Sequence, residues 1–401
     1  MGIRADLAQL PRLLLIAPFA AVVAQGAERD SVGQRWEYDG LLGRYAVEVV
    51  ATGFTVPFGL AFLPDGRAIV SDRPFGPSLV DFRSGQHVAV TGTPVALDSV
   101  DGGFLDVIVH SSFAQNNLIY YAYSERSDSG FTTVVERARL VENHVENRQR
   151  LFAAYPALKS VNHFGSRLVL ADGYLFVTLG ERDIRELAQE LWTDHGKIIR
   201  LFEDGRIPPD NPFVGTAGAR PEIWTYGHRN PHGLAINTVT GELWETEHGP
   251  LGGDEVNVIR RGRNYGWPIV TFGREYDGQP MGGGLTEAPG MEPPVYHYAS
   301  SAALSGLMFY TSSVLPQWRG NAFFGAMTPK YLARITIEPG QPLREERLLL
   351  EKRWRIRVVQ QGPDGFIYLG VESSQRAVLT PGGARAILRP NGMIVRIRPA
   401  E

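Results

Sequence analysis

One arrangement of apolar and polar positions recurs six times along the chain. Each copy has a glycine or another small residue, an apolar stretch, a turn and a second apolar stretch. The copies begin at Phe58, Gly102, Phe164, His232, Ser305 and Arg357. Their spacing of roughly 45 to 75 residues is typical of proteins built from repeated supersecondary units.

Tight turns separate the two apolar stretches of these copies. Asp-Gly pairs are strong hairpin signals because glycine adopts positive φ at little cost. Three copies carry such a pair, at Asp65-Gly66, Asp172-Gly173 and Asp364-Gly365. The flanking segments 68–70 and 174–177 consist largely of residue types enriched in strands. The pattern therefore predicts a series of β-hairpins.

Short hairpins cannot bury both faces alone, and stacking small sheets around an axis buries them and leaves few open edges. We therefore predict an all-β fold, a six-bladed β-propeller with four-stranded antiparallel blades. An all-β sandwich or a pair of barrels is the alternative. The strand-like segments 45–52 and 392–398 are expected to close the ring in one shared blade.

Helices are expected to be few, with 186–192 the best candidate for a short helical turn. Two long segments rich in glycine and proline, 181–223 and 257–302, separate neighbouring copies. Because long loops on a rigid scaffold often carry function, we expect them to crown one face of the ring.

Composition narrows the function classes. The chain has 401 residues, 43% of them hydrophobic, with 45 glycines and 27 prolines and no fixed glycine period, which suits many short strands. The net charge of -3 provides no basic field, so nucleic acid is not expected as a partner. There is no cysteine, which excludes disulfides, thiolate metal sites and cysteine nucleophiles.

The N-terminus carries an export pattern. Arg4 and Arg12 precede an apolar stretch at 13–24, with Val22 and Ala24 in plausible cleavage positions. We predict a signal peptide at 1–27, a single propeller domain at 28–401, and a periplasmic or secreted protein without stable membrane insertion after signal removal. The alternatives are an N-terminal anchor or a misassigned start, but about 20 apolar residues are needed to span a membrane.

Two polar clusters occupy corresponding points of successive repeats. His163 enters one apolar strand from a loop, and Arg229 lies at the matching point of the next repeat. Equivalent positions in successive blades share one rim, so the two are expected to be neighbours. A lone histidine here could instead be structural.

A glycine- and proline-rich run at 247–255 could supply hard oxygen ligands. Gly249 and Pro250 expose main-chain carbonyls, and Asp254 and Glu255 add carboxylates. Calcium takes six to eight such oxygens. The spacing is not that of an EF-hand, and the run could equally be a polar loop.

Cations mark the last two repeats. Lys330 follows a strand of the fifth repeat, and Arg355 and Arg357 alternate on one face of a strand with apolar neighbours. Buried guanidinium groups need anionic partners, so these cations and Arg229 would form an axial pocket for a flat, multiply anionic ligand. The alternative is a solvated outer face. No Walker A, G-x-S-x-G, HExxH or Rossmann signature competes.

The chain resembles the soluble quinoprotein sugar dehydrogenases, which use pyrroloquinoline quinone (PQQ), and within them the bacterial aldose sugar dehydrogenases. The segments YGHRNPHGLA, TEHGPLGGDEVN and GRNYGWP carry the resemblance, supported by NHFGSR, GRIPPDNPF and QWRGNAFFGAM. It extends from about residue 50 to residue 398, nearly the whole mature chain.

The resemblance implies a role for each matching residue. His163 falls at the position of the catalytic base. The positions that contact the cofactor or the substrate are those of Arg229, Asn230, Lys330, Arg355 and Arg357. His248 stands where another branch carries glutamine, and Asp101 where the family usually has a cofactor-contacting glutamine. The negative charge of Asp101 should weaken binding of an anionic cofactor unless calcium or an arginine offsets it.

The resemblance also implies two calcium sites and a reaction. Gly249 and Pro250 match main-chain ligands of the cofactor's calcium, and Glu255 and Tyr265 match a further calcium site. The implied reaction oxidises an aldose at C1 to the lactone, with an external electron acceptor reoxidising the quinone. The alternatives are a calcium-dependent lactonase and a non-catalytic ligand-binding propeller, the latter favoured by Asp101.

Overall fold

The computed structural model describes residues 30–97, 99–338, 340–372, 378–379, 385–386 and 391–401. The predicted signal peptide at 1–27 lies outside the described residues. Residues Ser31–Glu401 form one compact unit. No helix in the described part of the chain is long and apolar enough to cross a membrane.

The described residues contain six sheets around one axis and a separate two-stranded hairpin. The chain begins with β1 (Arg35–Gly40) and β2 (Gly43–Phe54). Blade 1 is β3 (Pro57–Phe62), β4 (Ala68–Asp72), β5 (Gly76–Asp81) and β6 (Gln86–Ala89). Blade 2 is β7 (Phe104–Val109), β8 (Leu118–Ser127), β9 (Gly130–Val141) and β10 (His144–Ala153). Blade 3 is β11 (Leu168–Ala171), β12 (Tyr174–Leu179), β13 (Lys197–Phe202) and β14 (Ile223–Tyr226).

The remaining blades follow the same order. Blade 4 is β15 (Pro231–Ile236), β16 (Leu243–Glu247), β17 (Asp254–Ile259) and β18 (Tyr296–Tyr298). Blade 5 is β19 (Leu304–Phe309), β20 (Ala322–Ala326), β21 (Tyr331–Thr336) and β22 (Arg344–Leu348). The chain ends with β23 (Ile356–Gln361), β24 (Ile367–Val371), the hairpin β25 (Val378–Leu379) and β26 (Arg385–Ala386), and β27 (Gly392–Pro399). The predicted six-bladed propeller of antiparallel blades is confirmed.

The sixth blade joins the two ends of the chain. β2 pairs antiparallel with β27, from Tyr45 opposite Pro399 to Phe54 opposite Gly392, as the terminal strand patterns predict. This blade has five strands rather than four, in the order β1-β2-β27-β24-β23. The additional strand β1 forms because Trp36 and Tyr38 pack onto the apolar core of the blade.

Helical structure in the described residues is confined to short segments. They are the α-helix Phe113–Asn116 and the 3-10 turns Arg185–Gln189, Gly282–Gly284, Pro316–Trp318 and Leu350–Lys352. The second of these falls on the predicted turn at 186–192 but ends earlier, where Glu190 is extended. The three Asp-Gly turns are also confirmed, since Gly66, Gly173 and Gly365 have φ of +87°, +80° and +79°.

The first strand of each blade lies innermost. The six innermost strands contact one another in the closed order β3, β7, β11, β15, β19, β23 and back to β3. Their side chains and backbone line an axial cavity of about 540 Å³ that ends at Asp106 and Arg167.

Arg167 is buried at the centre of this ring. Its guanidinium donates to the main-chain carbonyls of His232 (2.6 Å), Phe58 (2.5 Å) and Arg357 (2.8 Å), which belong to three other blades. Asp106 of blade 2 lies 3.5 Å away and also accepts the backbone N–H of Leu168. Burial lowers the pKa of Arg167 to about 10, so the side chain remains a cation at neutral pH. One side chain thereby links its own blade to four others across the axis.

Replacing Arg167 should destabilise the whole propeller. Arg167→Met removes the axial donors and leaves the buried Asp106 without its ion pair. We expect a loss of about 3–5 kcal/mol of unfolding free energy, measured by urea denaturation. Arg83→Met is the control, because Arg83 pairs with Asp81 at the exposed surface and should matter little. An equal effect of the two substitutions would contradict the axial role.

Candidate active site

A polar cavity of about 360 Å³ opens where the innermost strands begin. Its walls come from loops that lead into these strands, from loops between the second and third strands of the blades, and from the loop between β17 and β18. Residues on its wall that the sequence analysis singled out are Asp101, His163, Arg229, Asn230, His248, Gly249, Pro250, Asp254, Arg355 and Arg357. The structure therefore brings these residues from four of the six blades to one rim, including the expected neighbours His163 and Arg229.

His163 is held in position by a buried carboxylate. Its Nδ1 lies 2.7 Å from Oε2 of Glu181, which is only 1% exposed. Because a carboxylate accepts, the neutral ring carries its proton on Nδ1 and has its lone pair on Nε2. The backbone N–H of Glu181 donates to the carbonyl of Arg229, which fixes the carboxylate in turn. This arrangement suits a general base.

Arg229 connects two walls of the cavity. Its Nη1 donates to the carbonyls of His248 (3.1 Å) and Gly249 (2.9 Å), and its Nη2 donates to the hydroxyl of Tyr276 (3.3 Å). The guanidinium lies over the Trp267 ring, with 5.2 Å to the centroid. Its Nε is buried without a hydrogen-bond partner among the described residues.

Arg355 and Arg357 both reach the carboxylate of Glu372. The Arg355 Nε lies 2.8 Å from Oε2, and the Arg357 Nε lies 2.6 Å from Oε1. Burial opposes ionisation of Glu372, but Arg357 and Arg355 outweigh it and lower its pKa to about 2. Two guanidinium charges therefore face one internal anion, and an anionic ligand could still be accommodated.

Lys330 stands apart from these arginines. It is half-buried with a left-handed backbone, φ +66°, at the end of the β20–β21 turn. The described residues on the cavity wall include Met327 and Thr328 of the same turn but not Lys330.

Two histidines, the buried His232 and the partly buried His248, lie against each other at the cavity wall. The rings of His232 and His248 are nearly parallel, 4.2 Å apart between centroids. Burial lowers the pKa of both well below the usual value, so both are neutral at physiological pH. In the described structure, His232 Nδ1 and His248 Nε2 are buried without hydrogen-bond partners. A bound polar ligand could satisfy them.

The predicted cofactor-side calcium ligands are main-chain carbonyls on the cavity wall. The Gly249 carbonyl accepts from Arg229, and the Pro250 carbonyl accepts from the Ser301 hydroxyl at 3.3 Å. Each oxygen has a second lone pair for a cation. Asp101 accepts the backbone N–H of His163, and its carboxylate lies 4.0 Å from Arg73, which offsets part of its charge.

Glu255 belongs to a buried acidic cluster beside the cavity. The carboxylates of Glu245, Glu247 and Glu255 lie 3.1, 3.3 and 3.3 Å from a single amide nitrogen, Nδ2 of Asn257. Burial and the charge of Glu247 raise the pKa of Glu245 and of Glu255 well above the usual value. Glu245 Oε1 and Asn257 Oδ1 are buried without partners among the described residues. These oxygens fit a hard divalent cation.

Tyr265 packs beside this cluster. Its ring stacks on His228, and its hydroxyl donates to the Val258 carbonyl (2.6 Å) and accepts the Arg260 N–H (2.8 Å). Because the hydroxyl is occupied, a metal ligand from Tyr265 would be its main-chain carbonyl. Tyr265 and Glu255 line a narrow cleft together with Arg229 and Gly249.

The sequence analysis missed the acidic partners of the predicted site residues. Glu181 follows the buried strand β12 after Gly180, and Glu372 follows the buried strand β24 directly, both at the same rim as the predicted residues. An acidic residue at the end of an apolar strand is a sequence signal that could have identified both as candidate site residues. Only the fold reveals that these acids meet His163 and the arginine pair.

Comparison with known proteins finds similar chains. The family model for glucose/sorbosone dehydrogenases matches residues 54–380. The aldose sugar dehydrogenase YliI of Escherichia coli is 39% identical over 340 residues, 83% of this chain and 91% of that protein. Quinoprotein glucose dehydrogenase B of Acinetobacter calcoaceticus is 31% identical over 254 residues, 56% of this chain and 52% of that protein.

A solved structure shows the same likeness across nearly the whole chain. The crystal structure of the soluble aldose sugar dehydrogenase from Escherichia coli, in the apo form, has a TM-score of 0.81 and 37% identity. The match covers 88% of this chain and 99% of the other.

Glu372 should contribute to stability in a pH-dependent manner. Its pKa in the folded protein, about 2, lies below the ordinary 4.5. The ionised carboxylate therefore stabilises the fold above pH 4.5, and this contribution is lost as the pH falls toward 2. Glu372→Gln should cost on the order of 3 kcal/mol at pH 7. The difference from the wild type should shrink by pH 3.5 in urea unfolding, and a constant difference would contradict this account.

Proposed function

The chain belongs to the glucose/sorbosone dehydrogenase family, and on this basis we propose that it is a PQQ- and calcium-dependent aldose dehydrogenase. It oxidises the sugar at C1 to the lactone. The observation that carries the proposal is one cavity holding a carboxylate-oriented histidine, a pair of arginines that share Glu372, and the main-chain carbonyls of Gly249 and Pro250. The names of the relatives agree with this chemistry.

His163 is the general base. Its Nε2 takes the proton of the anomeric hydroxyl as the C1 hydrogen leaves with its electron pair, so that C1–OH becomes the lactone carbonyl. The Nδ1 proton stays on the ring, where it is hydrogen-bonded to Glu181, and the negative charge of Glu181 stabilises the imidazolium that forms. Bound PQQ supplies the electrophile that accepts the hydride, and an external electron acceptor is needed to reoxidise it.

The chain has groups suited to hold a flat polyanion. Arg355 and Arg357 carry two charges against the single charge of Glu372 and present N–H donors that match carboxylates. The neutral His248 and the Arg229 guanidinium each have a buried nitrogen without a partner in the described structure. We keep Lys330 as a proposed cofactor contact because the family resemblance implies that role. This contact requires the Lys330 side chain to reach into the cavity.

Calcium would occupy two places. The carbonyls of Gly249 and Pro250 would hold the ion that accompanies the cofactor, where it would stabilise negative charge. A second ion would lie at Glu255 and the Tyr265 carbonyl, beside the acidic cluster. An axial lactonase is disfavoured because such an enzyme needs a cage of carboxylates and amides, and the axis here holds Arg167.

The partners follow from this chemistry and from the predicted export signal. We expect a small sugar as substrate and a periplasmic or secreted location, with no nucleic acid. Asp101 is the one residue that argues for a binding protein without catalysis, and its contact with Arg73 weakens that argument.

Reconstitution tests the proposed activity directly. Protein supplied with PQQ and calcium should reduce a dye only when an aldose is added. His163→Ala should lower kcat at least about 100-fold, because the general base is lost, while binding of the quinone, followed by its absorbance, is retained. His144→Ala is the control, since His144 lies on the outer strand β10. Quinone binding without turnover on any aldose would instead indicate a binding protein.

Calcium should stabilise the protein even without quinone. In protein treated with a chelator, the buried carboxylates repel one another, and calcium at 100 times its Kd would add about 2.7 kcal/mol to the free energy of unfolding. The melting temperature should therefore rise with calcium and much less with magnesium.

Glu255→Gln provides the matched variant. It removes one of the clustered charges, so the calcium-dependent rise should shrink, while the calcium-free variant should melt at or above the calcium-free wild type. A wild-type melting temperature that does not respond to calcium would rule out the second metal site.

A further inference from the structure

Tyr276 is exposed although its backbone is firmly held. The side chain is 74% exposed, which is unusual for a large aromatic residue at the wall of a cavity. It belongs to the long segment at 257–302 that was expected to crown one face of the ring. Neither the family motifs nor the charge patterns in the sequence indicated a role for it.

The loop is held at the two residues that precede Tyr276. Arg274 and Leu251 exchange backbone hydrogen bonds, each 3.1 Å, which ties the loop to the segment that follows Gly249 and Pro250. The next residue, Glu275, accepts two hydrogen bonds from the Arg185 guanidinium, at 2.6 and 3.3 Å. The loop is therefore anchored to a neighbouring loop of blade 4 and to the 3-10 turn of blade 3.

A tight turn then presents the ring. The Glu275 N–H donates to the Gln279 carbonyl (2.9 Å), and the Gly278 N–H donates to the Glu275 carbonyl (2.8 Å). The Tyr276 hydroxyl accepts from Arg229 Nη2, the same guanidinium that holds the Gly249 carbonyl. The same guanidinium therefore contacts both the ring and a predicted calcium ligand.

We propose that Tyr276 is a sugar-binding platform, on which the C–H face of an aldopyranose stacks while its anomeric hydroxyl faces His163. This inference rests on the proposed function and names the ring form of its substrate. A pyranose has one face rich in C–H groups and a rim of hydroxyls, so an aromatic face beside polar groups complements both. Because the backbone of Tyr276 is held before binding, little ordering entropy is lost when the sugar binds.

The platform contributes binding rather than chemistry. An interaction made equally in the ground state and in the transition state affects KM and leaves kcat largely unchanged. The reconstituted Tyr276→Ala variant should therefore show a KM for glucose, galactose and xylose raised about tenfold or more, with kcat within about twofold of the wild type. Tyr276→Phe keeps the ring and loses only the bond to Arg229, so its KM should stay within a factor of about three.

Phe75→Ala is the matched control. Phe75 is 68% exposed, lies in the loop between β4 and β5 of blade 1, and is not among the described residues that line the cavity. Its KM and kcat should equal those of the wild type. Tyr276→Ala should melt at the wild-type temperature, because an exposed ring contributes little to stability.

A binding measurement separates this inference from the proposed function. Saturation-transfer NMR with 1,5-anhydroglucitol, a pyranose without an anomeric hydroxyl, should show binding to the wild type and to Phe75→Ala but not to Tyr276→Ala. If the wild type oxidises no aldose yet binds this probe through Tyr276, the platform stands and the dehydrogenase fails. If aldoses are oxidised with the same KM by wild type and Tyr276→Ala, the platform is wrong.

Discussion

The fold depends on one buried guanidinium that links blades across the propeller axis. Arg167 reaches backbone carbonyls of three other blades and lies beside Asp106 of a fourth, so the innermost strands keep a fixed spacing. Two of those carbonyls belong to His232 and Arg357, whose side chains line the polar cavity. The Arg167 contacts therefore also position the site, because the spacing of the innermost strands sets the spacing of the side chains that line the polar cavity.

Charge compensation organises the cavity itself. A buried charge is costly unless an opposite charge or several hydrogen bonds accompany it. His163 has Glu181, and the pair Arg355 and Arg357 has Glu372. The carboxylates around Asn257 differ, because they share one neutral amide. We place the anionic cofactor at Arg355 and Arg357 because two cations there face a single carboxylate. We place a cation among the carboxylates around Asn257 because, in the described part of the chain, no arginine or lysine forms an ion pair with them.

The sequence analysis predicted the propeller because its strands repeat, and repeated hydrophobic patterns survive without knowledge of tertiary contacts. It also grouped His163 with Arg229 correctly at one rim, since corresponding points of repeats must converge. It could not find Glu181, Glu372 or the Arg167 contacts, because those partners lie far apart in the chain and have no local motif. The extra strand β1 was missed because it has no counterpart in the repeats. Lys330 is not on the cavity wall, where its turn instead contributes Met327 and Thr328.

The central claim is that this cavity binds a flat polyanionic quinone with calcium and presents it to a sugar. A crystal structure of the protein with PQQ and calcium tests this most directly. The account predicts quinone carboxylates against Arg355 and Arg357, a metal on the carbonyls of Gly249 and Pro250, and His163 facing the reactive carbonyl. A quinone bound elsewhere on the molecule, or a cavity that excludes it at saturating concentration, would contradict the account.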